Sequence, residues 1–375
     1  MSKNMQKDII TIVKPHTIQK FEIIENYVAD WAWNILGFKG VDGKSESKGI
    51  VYIDCMSNCG VYKDEHGNRI EGTAIRVAKR LNAIIEHFPG KDAVLIFNDI
   101  DERRTALLEQ EIEKLQLKNI TVSCNSGDCN VFLKGLDLSS FNRTHNTLLL
   151  YDPYDASIDW DAVSRYLNRW GEVIINHMIS DTTRGITQAK KPSVKAKYTE
   201  TYQKDIDEII NMATDRDKLN DTIISIITKQ TTKDSKQYIA SFPFYNRTNG
   251  LVYNLIFCTF SVKGLILFKK SCWKTFNGRS SSKNTHGKED IITFFDNGNT
   301  GAVTDQDCYN VHDVAKYIYE KYHSRKEVPL KVIYFDLDRH PVFPSDGYKN
   351  DIKKELKEIY NVSFPKGQDK AVFDD

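Results

Sequence analysis

The chain has 375 residues, of which 40% are hydrophobic and 27% charged, the balance of a soluble globular protein with about two domains. Its formal net charge of +1 gives no overall reason to expect nucleic-acid or membrane binding, so any basic surface must be local. The seven cysteines are scattered, and no apolar run has the length of a membrane span or the form of a signal peptide. A cytoplasmic protein with reduced thiols and no membrane partner is therefore expected.

The alternation of strand-like and helix-like segments predicts the fold class. An amphipathic helix is expected at 16–36, where apolar residues recur at helical spacing. Strand-like runs follow at 50–53, 93–97, 120–123, 147–151, 172–176, 238–242 and 251–259. Helix-like segments lie between or after them at 73–88, 102–115, 159–170 and 262–276. This alternation predicts an α/β fold with a mostly parallel, Rossmann-like sheet covered on both faces.

Changes in this rhythm suggest the domain boundaries. Residues 1–47 are assigned to an N-terminal helix and linker, and residues 48–276 to the sheet domain. That domain holds a helical insertion at about 180–234, rich in Lys, Thr and Asp, with helix-like segments near 198–213 and 217–229. Residues 277–303 are rich in Gly, Ser and Asn and are predicted to be a mobile linker. Residues 304–375, with helices expected at 311–322 and 348–360, are predicted to form a small winged-helix-like domain.

Acids and small residues follow each predicted strand. Ligands of such sheets bind beyond the carboxyl ends of the strands, so these residues are expected to form one rim. Asp99, with Asp101 as the alternative, is placed to accept ribose hydroxyls, and Asp128 to accept an adenine amino group. The turn that contains Asn58 and closes on Gly60 lets backbone amides approach a charged, methionine-like tail. The predicted cofactor-binding residues are Asp54, Ser57, Asn58, Gly60, Asp99, Asp101 and Asp128.

The fourth strand leads into the turn Asp152-Pro153-Tyr154. A carboxylate and a backbone carbonyl there can accept both hydrogens of an exocyclic amine while the tyrosine ring stacks on the base. Positioning of this kind favours in-line methyl transfer. The three residues are therefore candidate catalytic residues, although Asp-Pro is also common in plain turns.

Several motifs resemble those of the three-Cys-motif partner proteins, which are similar to Rossmann-like S-adenosylmethionine-dependent methyltransferases. The matching segments are Asp54 to Gly60, Gly72 to Ala74, Asp152 to Asp155, Glu172 to Met178, and Tyr253 to Gly264. The resemblance covers residues 16 to about 275, and a C-terminal winged helix is also family-like. It implies S-adenosylmethionine as cofactor and methyltransferase activity. It also implies a possible partner protein with a three-cysteine motif, in a phage-related or defence system.

Two departures from the family pattern leave other functions open. Asn58 and Asp155 replace glycines of the family motifs, so the chain could instead be a catalytically degenerate partner or a nucleic-acid-binding adaptor. A third hypothesis is a nuclease with a divalent metal held by Asp99, Asp101, Asp128 and Asp152. No resident metal is predicted, because the spacing of Cys55 and Cys59 continues with Tyr62 rather than with a third thiol.

Local clusters of basic residues suggest a nucleic-acid partner, DNA or RNA. Lysines near an aromatic ring can bind a phosphate backbone while the ring stacks on a base. The candidate nucleic-acid-binding residues are Lys190, Lys191, Lys195, Lys269, Lys270, Trp273, Lys349 and Lys353. Asp351 and Glu355 lie among the last lysines, so a solvated, salt-paired helix is the alternative there. The leading hypothesis is a methyltransferase that modifies an exocyclic amino group of a nucleic-acid base.

Overall fold

A computed structural model describes residues 9–40, 46–139, 141, 144–188, 190–213, 215–230, 237–283 and 308–373. The first helix, α1 (Pro15–Gly37), confirms the helix predicted at 16–36. Its apolar stripe buries Phe21, Ile24 and Tyr27, because residues three and four apart lie on one face of a helix. In the described part of the chain, no helix combines the length and apolar character needed to cross a membrane.

Seven strands of the described chain form one sheet. In chain order, the strands up to residue 259, which include these seven, are β1 (Gly49–Asp54), β2 (Val61–Lys63), β3 (Arg69–Glu71), β4 (Asp92–Asp99), β5 (Ile120–Ser126), β6 (His145–Tyr151), β7 (Gly171–His177), β8 (Tyr238–Tyr245) and β9 (Leu251–Thr259). The sheet order is β5-β4-β1-β6-β7-β9-β8, and β2 and β3 form a separate hairpin. The first five strands of that order are parallel, whereas β9 is antiparallel to both neighbours. The predicted Rossmann-like sheet is confirmed, with its switch point between β1 and β6.

Helices cover both faces of the sheet. They are α2 (Thr73–Ile85), α3 (Glu102–Glu113), α4 (Cys129–Gly135), α5 (Trp160–Val163), α6 (Ile179–Gly185), α7 (Pro192–Tyr202), α8 (Ile206–Met212), α9 (Arg216–Lys229) and α10 (Val262–Thr275). Successive residues of β1 enter different apolar clusters: Ile50 and Tyr52 pack with α1, α2 and α10, and Val51 and Ile53 with α5 to α9. Burial on both faces explains the unbroken apolar run of this strand.

The C-terminal unit packs on the face that carries α10. It contains α11 (Val311–Tyr322), β10 (Glu327–Pro329), α12 (Leu330–Arg339), α13 (Lys349–Tyr360) and β11 (Lys370–Val372). The strands β10 and β11 pair antiparallel. One apolar cluster runs from Phe268 of α10 to Ile333 and Leu337 of α12. The winged-helix assignment stays a prediction, and residues 284–303 of the predicted mobile linker lie outside the described residues.

Two predicted helices are shorter than expected. The segment 159–170 contains only α5 and a 3-10 turn at Ser164–Tyr166, because the chain turns tightly into β7. A Cβ on Gly171 would lie 2.1 Å from the Tyr166 carbonyl oxygen. The helix predicted at 198–213 is divided between α7 and α8 by Gln203, which has φ +49°. Both segments keep apolar residues at helical spacing, so periodicity alone did not reveal the interruptions.

Candidate functional site

A pocket of about 380 Å³ opens at the carboxyl ends of the central strands. Its size falls within the roughly 300–1,000 Å³ of small-molecule sites. The predicted residues that line it are Asp99, Asp128, Pro153 and Tyr154, and it also includes Ile100, Gly127, Tyr151, Lys197 and Thr201. The pocket therefore joins the turns after β1, β4, β5 and β6 to the helix α7 of the insertion.

The turn after β1 is built onto the end of β4. The Ser57 N–H donates to the Asn98 carbonyl oxygen at 2.8 Å, and the Asn58 N–H donates to Asp99 Oδ2 at 3.0 Å. Asn58 has φ +56°, which asparagine tolerates better than most side chains. Asn58 therefore adopts the left-handed conformation that the turn needs without a glycine at this position. Glycine is favoured at position 60, because its φ of +73° is one that side-chain-bearing residues rarely adopt, and a Cβ there would also lie 2.6 Å from Leu108 Cδ1.

The predicted cofactor acids have different surroundings. Asp99 is only 2% exposed, and its other oxygen accepts the Asp101 N–H at 2.9 Å, so it orders two turns. Asp101 caps α3 and binds Arg103, whose hydrogen bonds lower the pKa of the aspartate to about 2. Asp128 caps α4 by accepting two backbone N–H groups. Asp101 lies outside the pocket lining, whereas Asp99 and Asp128 lie within it.

Asp54 lies below the pocket floor. Burial first, and the nearby Asp152 carboxylate second, raise the pKa of Asp54 to about 8. Its Oδ1 accepts the Met56 N–H at 3.3 Å. Among the described residues, the buried oxygens Tyr52 Oη, Asn98 Oδ1 and Asn176 Oδ1 have no hydrogen-bond partner. Buried polar groups are rarely left unpaired, but none of these three residues lines the pocket.

The Asp152 carboxylate is already bound by two donors. The Lys20 ammonium lies 2.5 Å from Oδ2, and the Asn176 amide donates to Oδ1 at 2.5 Å. Lys20 was not among the site residues predicted from the sequence. It lies on the apolar stripe of α1, four residues before Ile24 and seven before Tyr27, and a lysine on a buried stripe is the signal that could have identified it.

Tyr154 connects its own turn to the turn after β1 and to the helix α3. Its hydroxyl lies 3.1 Å from the Asn58 Nδ2 donor and 2.9 Å from Arg104 Nη1. The Tyr154 side chain is nevertheless 63% exposed, so one ring face is open to solvent beside Pro153. Asp155 accepts the Ser157 N–H at 2.9 Å, and it lines the pocket.

The predicted nucleic-acid residues fall into two groups. Lys190, Lys191 and Lys195 are exposed at the start of α7, whose later residue Lys197 lines the pocket. The other group belongs to α10 and α13, and its members that reach solvent are the half-exposed Lys270 and the neighbouring pair Lys349 and Lys353.

For Lys269 and Trp273 the nucleic-acid prediction is wrong. Both side chains are fully buried. The Lys269 ammonium donates to the carbonyl oxygens of Leu337, Asp338, His340 and Phe343 at 2.6 to 3.2 Å. The Trp273 indole N–H donates to the Val342 carbonyl oxygen at 2.9 Å. These side chains hold the C-terminal unit against α10 and do not reach solvent.

The nuclease hypothesis gains no support from the described residues. No group of three or more histidine, cysteine or acidic residues in the described ranges could hold a metal ion. The four proposed ligands already make other interactions. Asp99 orders two turns, Asp101 and Asp128 cap helices, and Asp152 forms an ion pair with Lys20. Only Asp99 and Asp128 of the four line the pocket, so these acids do not converge as ligands of a divalent cation would.

No protein-family model matches the sequence, and no curated protein matches it. An rRNA methylase from Streptococcus thermophilus is similar at 8% identity over 63% of this chain and 92% of that chain, with a TM-score of 0.30. An O-methyltransferase from Bacillus cereus, solved in complex with SAH, is 10% identical over 66% of this chain and 92% of that chain, with a TM-score of 0.31. At these values the similarities do not identify an activity of this chain.

Proposed function

We propose that this protein is an S-adenosylmethionine-dependent methyltransferase that acts on a nucleic acid. The observation that carries the proposal is the pocket at the switch point of the sheet, where Asp99, Asp128 and the Asp152 turn converge. Ligands of open α/β sheets bind at such points. S-adenosylmethionine, when bound, would supply the electrophilic methyl group.

Different residues of the pocket would bind different parts of the cofactor. Asp99 has lone pairs left for ribose hydroxyls after accepting two N–H groups. Asp128 is exposed at the far end, beside Gly127, where an added Cβ would meet nothing within 4 Å. Ile100 is 71% exposed and lines the same pocket, so it offers apolar surface to an adenine ring.

The partner proposed for this site is a nucleic acid that approaches along α7. The exposed lysines at its start lie on the helix whose later residues, Lys197, Glu200 and Thr201, form one wall of the pocket. Lysines near a pocket bind phosphates and hold the target close. The family resemblance adds a possible protein with a three-cysteine motif, in a phage-related or defence system.

A degenerate methyltransferase-like adaptor is the second candidate. The observation that favours it is that two carboxylates of the rim are poorly available to a ligand. Asp99 is almost fully buried, and Asp152 is ion-paired. Such an adaptor would bind nucleic acid but neither S-adenosylmethionine nor its demethylated product.

Calorimetry with S-adenosylmethionine and S-adenosylhomocysteine tests the proposal. Wild type should bind both, and Ile100→Asp should weaken binding about tenfold, because a charge replaces apolar surface against the adenine. Val131→Asp is the matched control, since Val131 is also 71% exposed but does not line the pocket. Absence of heat for both ligands with wild type would reject the methyltransferase in favour of the adaptor. Equal losses of affinity in the two variants would show that the ligand does not bind in this pocket.

A further inference from the structure

The buried pair of Lys20 and Asp152 is the feature of the site that the cofactor does not explain. The Lys20 side chain is 6% exposed and that of Asp152 is 23% exposed, so the pair is reached from the Asp152 side. Lys20 comes from α1, far from the strand turns in sequence. Burying two charges costs several kcal/mol per ion before their attraction compensates, so a pair at a functional rim suggests a role in binding or chemistry.

The Lys20 ammonium beside the carboxylate does not suit an amine acceptor. An exocyclic amine needs two oxygen acceptors for its hydrogens. Here Oδ1 of Asp152 accepts from Asn176 and Oδ2 accepts from Lys20. Each oxygen keeps a lone pair for one more hydrogen, but the Lys20 ammonium has further N–H donors, and an amine would direct its own hydrogens toward them rather than a lone pair.

A hydroxyl suits the same atoms. Its oxygen can accept a hydrogen from the Lys20 ammonium, and its single hydrogen can be donated to Asp152. We propose that Lys20 and Asp152 bind the acceptor as a hydroxyl, so that the methyl group is transferred to oxygen rather than to a base amine. This inference rests on the proposed methyltransferase function.

The step balances without any further reactant. The bond between the methyl carbon and the sulfonium sulfur breaks as the carbon–oxygen bond forms. The hydroxyl hydrogen passes to the Asp152 carboxylate and then to solvent, and the sulfur takes the electron pair. The products are S-adenosylhomocysteine, a methyl ether and one proton. Lys20 holds the oxygen lone pair in line with the methyl carbon, and Asn176 keeps the carboxylate oriented.

A hydroxyl acceptor also selects the kind of nucleic acid. Along a nucleic-acid strand, the ribose 2′-hydroxyl is present in RNA and absent from DNA. The proposed substrate is therefore RNA, methylated on ribose.

The position of the methyl group on the product tests the proposal. The protein is incubated with methyl-labelled S-adenosylmethionine and total bacterial RNA or DNA, and the nucleic acid is digested to nucleosides for mass spectrometry. Label on ribose supports the proposal. Label on a base, label in DNA, or no label from a wild-type protein that binds S-adenosylhomocysteine overturns it. A wild-type protein that binds no S-adenosylhomocysteine instead fails the proposed function itself.

Variants of Lys20 separate chemistry from structure. Lys20→Met should lower ribose methylation about 100-fold while S-adenosylhomocysteine affinity changes less than about threefold, and Lys20→Arg should restore part of the rate. Lys79→Met, which removes an exposed lysine paired with Glu71, is the control and should leave the rate unchanged. Equal rates in Lys20→Met and wild type would remove Lys20 from the mechanism. Even if Lys20→Met fails to fold, the position of the methyl group on the wild-type product identifies the acceptor atom.

Discussion

At the scale of single residues, Asp54 links the site to stability. Its carboxyl is buried beneath the strand ends, and burial raises its pKa to about 8 from about 3.9 in an unfolded chain. Between these pH values the folded protein holds a proton on Asp54 that the unfolded chain releases. The free energy of unfolding therefore falls as the pH rises through this window.

Replacing Asp54 by asparagine should remove this dependence. The amide side chain would keep an oxygen for the Met56 N–H without a titrating proton. We expect Asp54→Asn to gain stability relative to wild type between pH 5 and pH 8, by a few kcal/mol at the upper end. Urea unfolding of the unliganded proteins at several pH values measures it. Parallel pH profiles for the two proteins would show that Asp54 ionises normally in the fold.

At the scale of elements, α10 carries two adjacent lysines with opposite surroundings. Lys269 is buried against four carbonyl oxygens, whereas Lys270 is 38% exposed and lies 3.4 Å from Asp346. Lys269→Met would leave those carbonyls unpaired, so we expect a loss of about 3 kcal/mol or more. Lys270→Met should change the free energy of unfolding by less than about 0.5 kcal/mol.

Urea unfolding of both variants gives the comparison. A small effect of Lys269→Met would mean that water replaces the ammonium among the carbonyls. Equal losses in the two variants would contradict the assignment of the buried contact to Lys269.

The same elements show how far sequence predicts this protein. The helix α1, the strand β9 and the helix α11 were found almost to the residue, because their apolar periodicity is set by burial on one or both faces. The short hairpin of β2 and β3 and the helix α4 were missed, since elements of three to seven residues carry too little periodicity. The alternation of strands and helices also predicted that the turns after the strands lie together along one edge of the sheet.

The partners of the rim side chains could not be predicted in the same way. The Lys20–Asp152 pair joins residues 132 apart in sequence, and Lys269 meets carbonyls about 70 residues away. Such contacts depend on how the elements pack, which local composition does not record. A lysine in an apolar stripe marks a buried cation, but only the fold shows which groups it binds.

At the scale of the whole molecule, two basic surfaces compete for a nucleic acid. The net charge of +1 gives no general attraction to a nucleic acid. The position of each basic surface relative to the pocket therefore indicates which one binds the substrate. The helix α7 packs with one face of the sheet and lines the pocket, whereas α13 packs with the other face. Lys349 and Lys353 moreover lie over the rings of Tyr334 and Phe364. We therefore expect α7 to bind the strand that enters the pocket.

Neutralising each surface separately distinguishes them. The triple variant K190Q/K191Q/K195Q should weaken binding of a single-stranded RNA oligonucleotide and make the plot of log affinity against log salt shallower by about 2, because three phosphate contacts are lost. The double variant K349Q/K353Q should leave the slope close to that of wild type. Fluorescence anisotropy between roughly 50 and 200 mM salt measures both. If the double variant alone lowered the slope, the RNA would lie against the C-terminal unit, on the opposite face of the sheet from α7. The pocket would then need a different route for its acceptor.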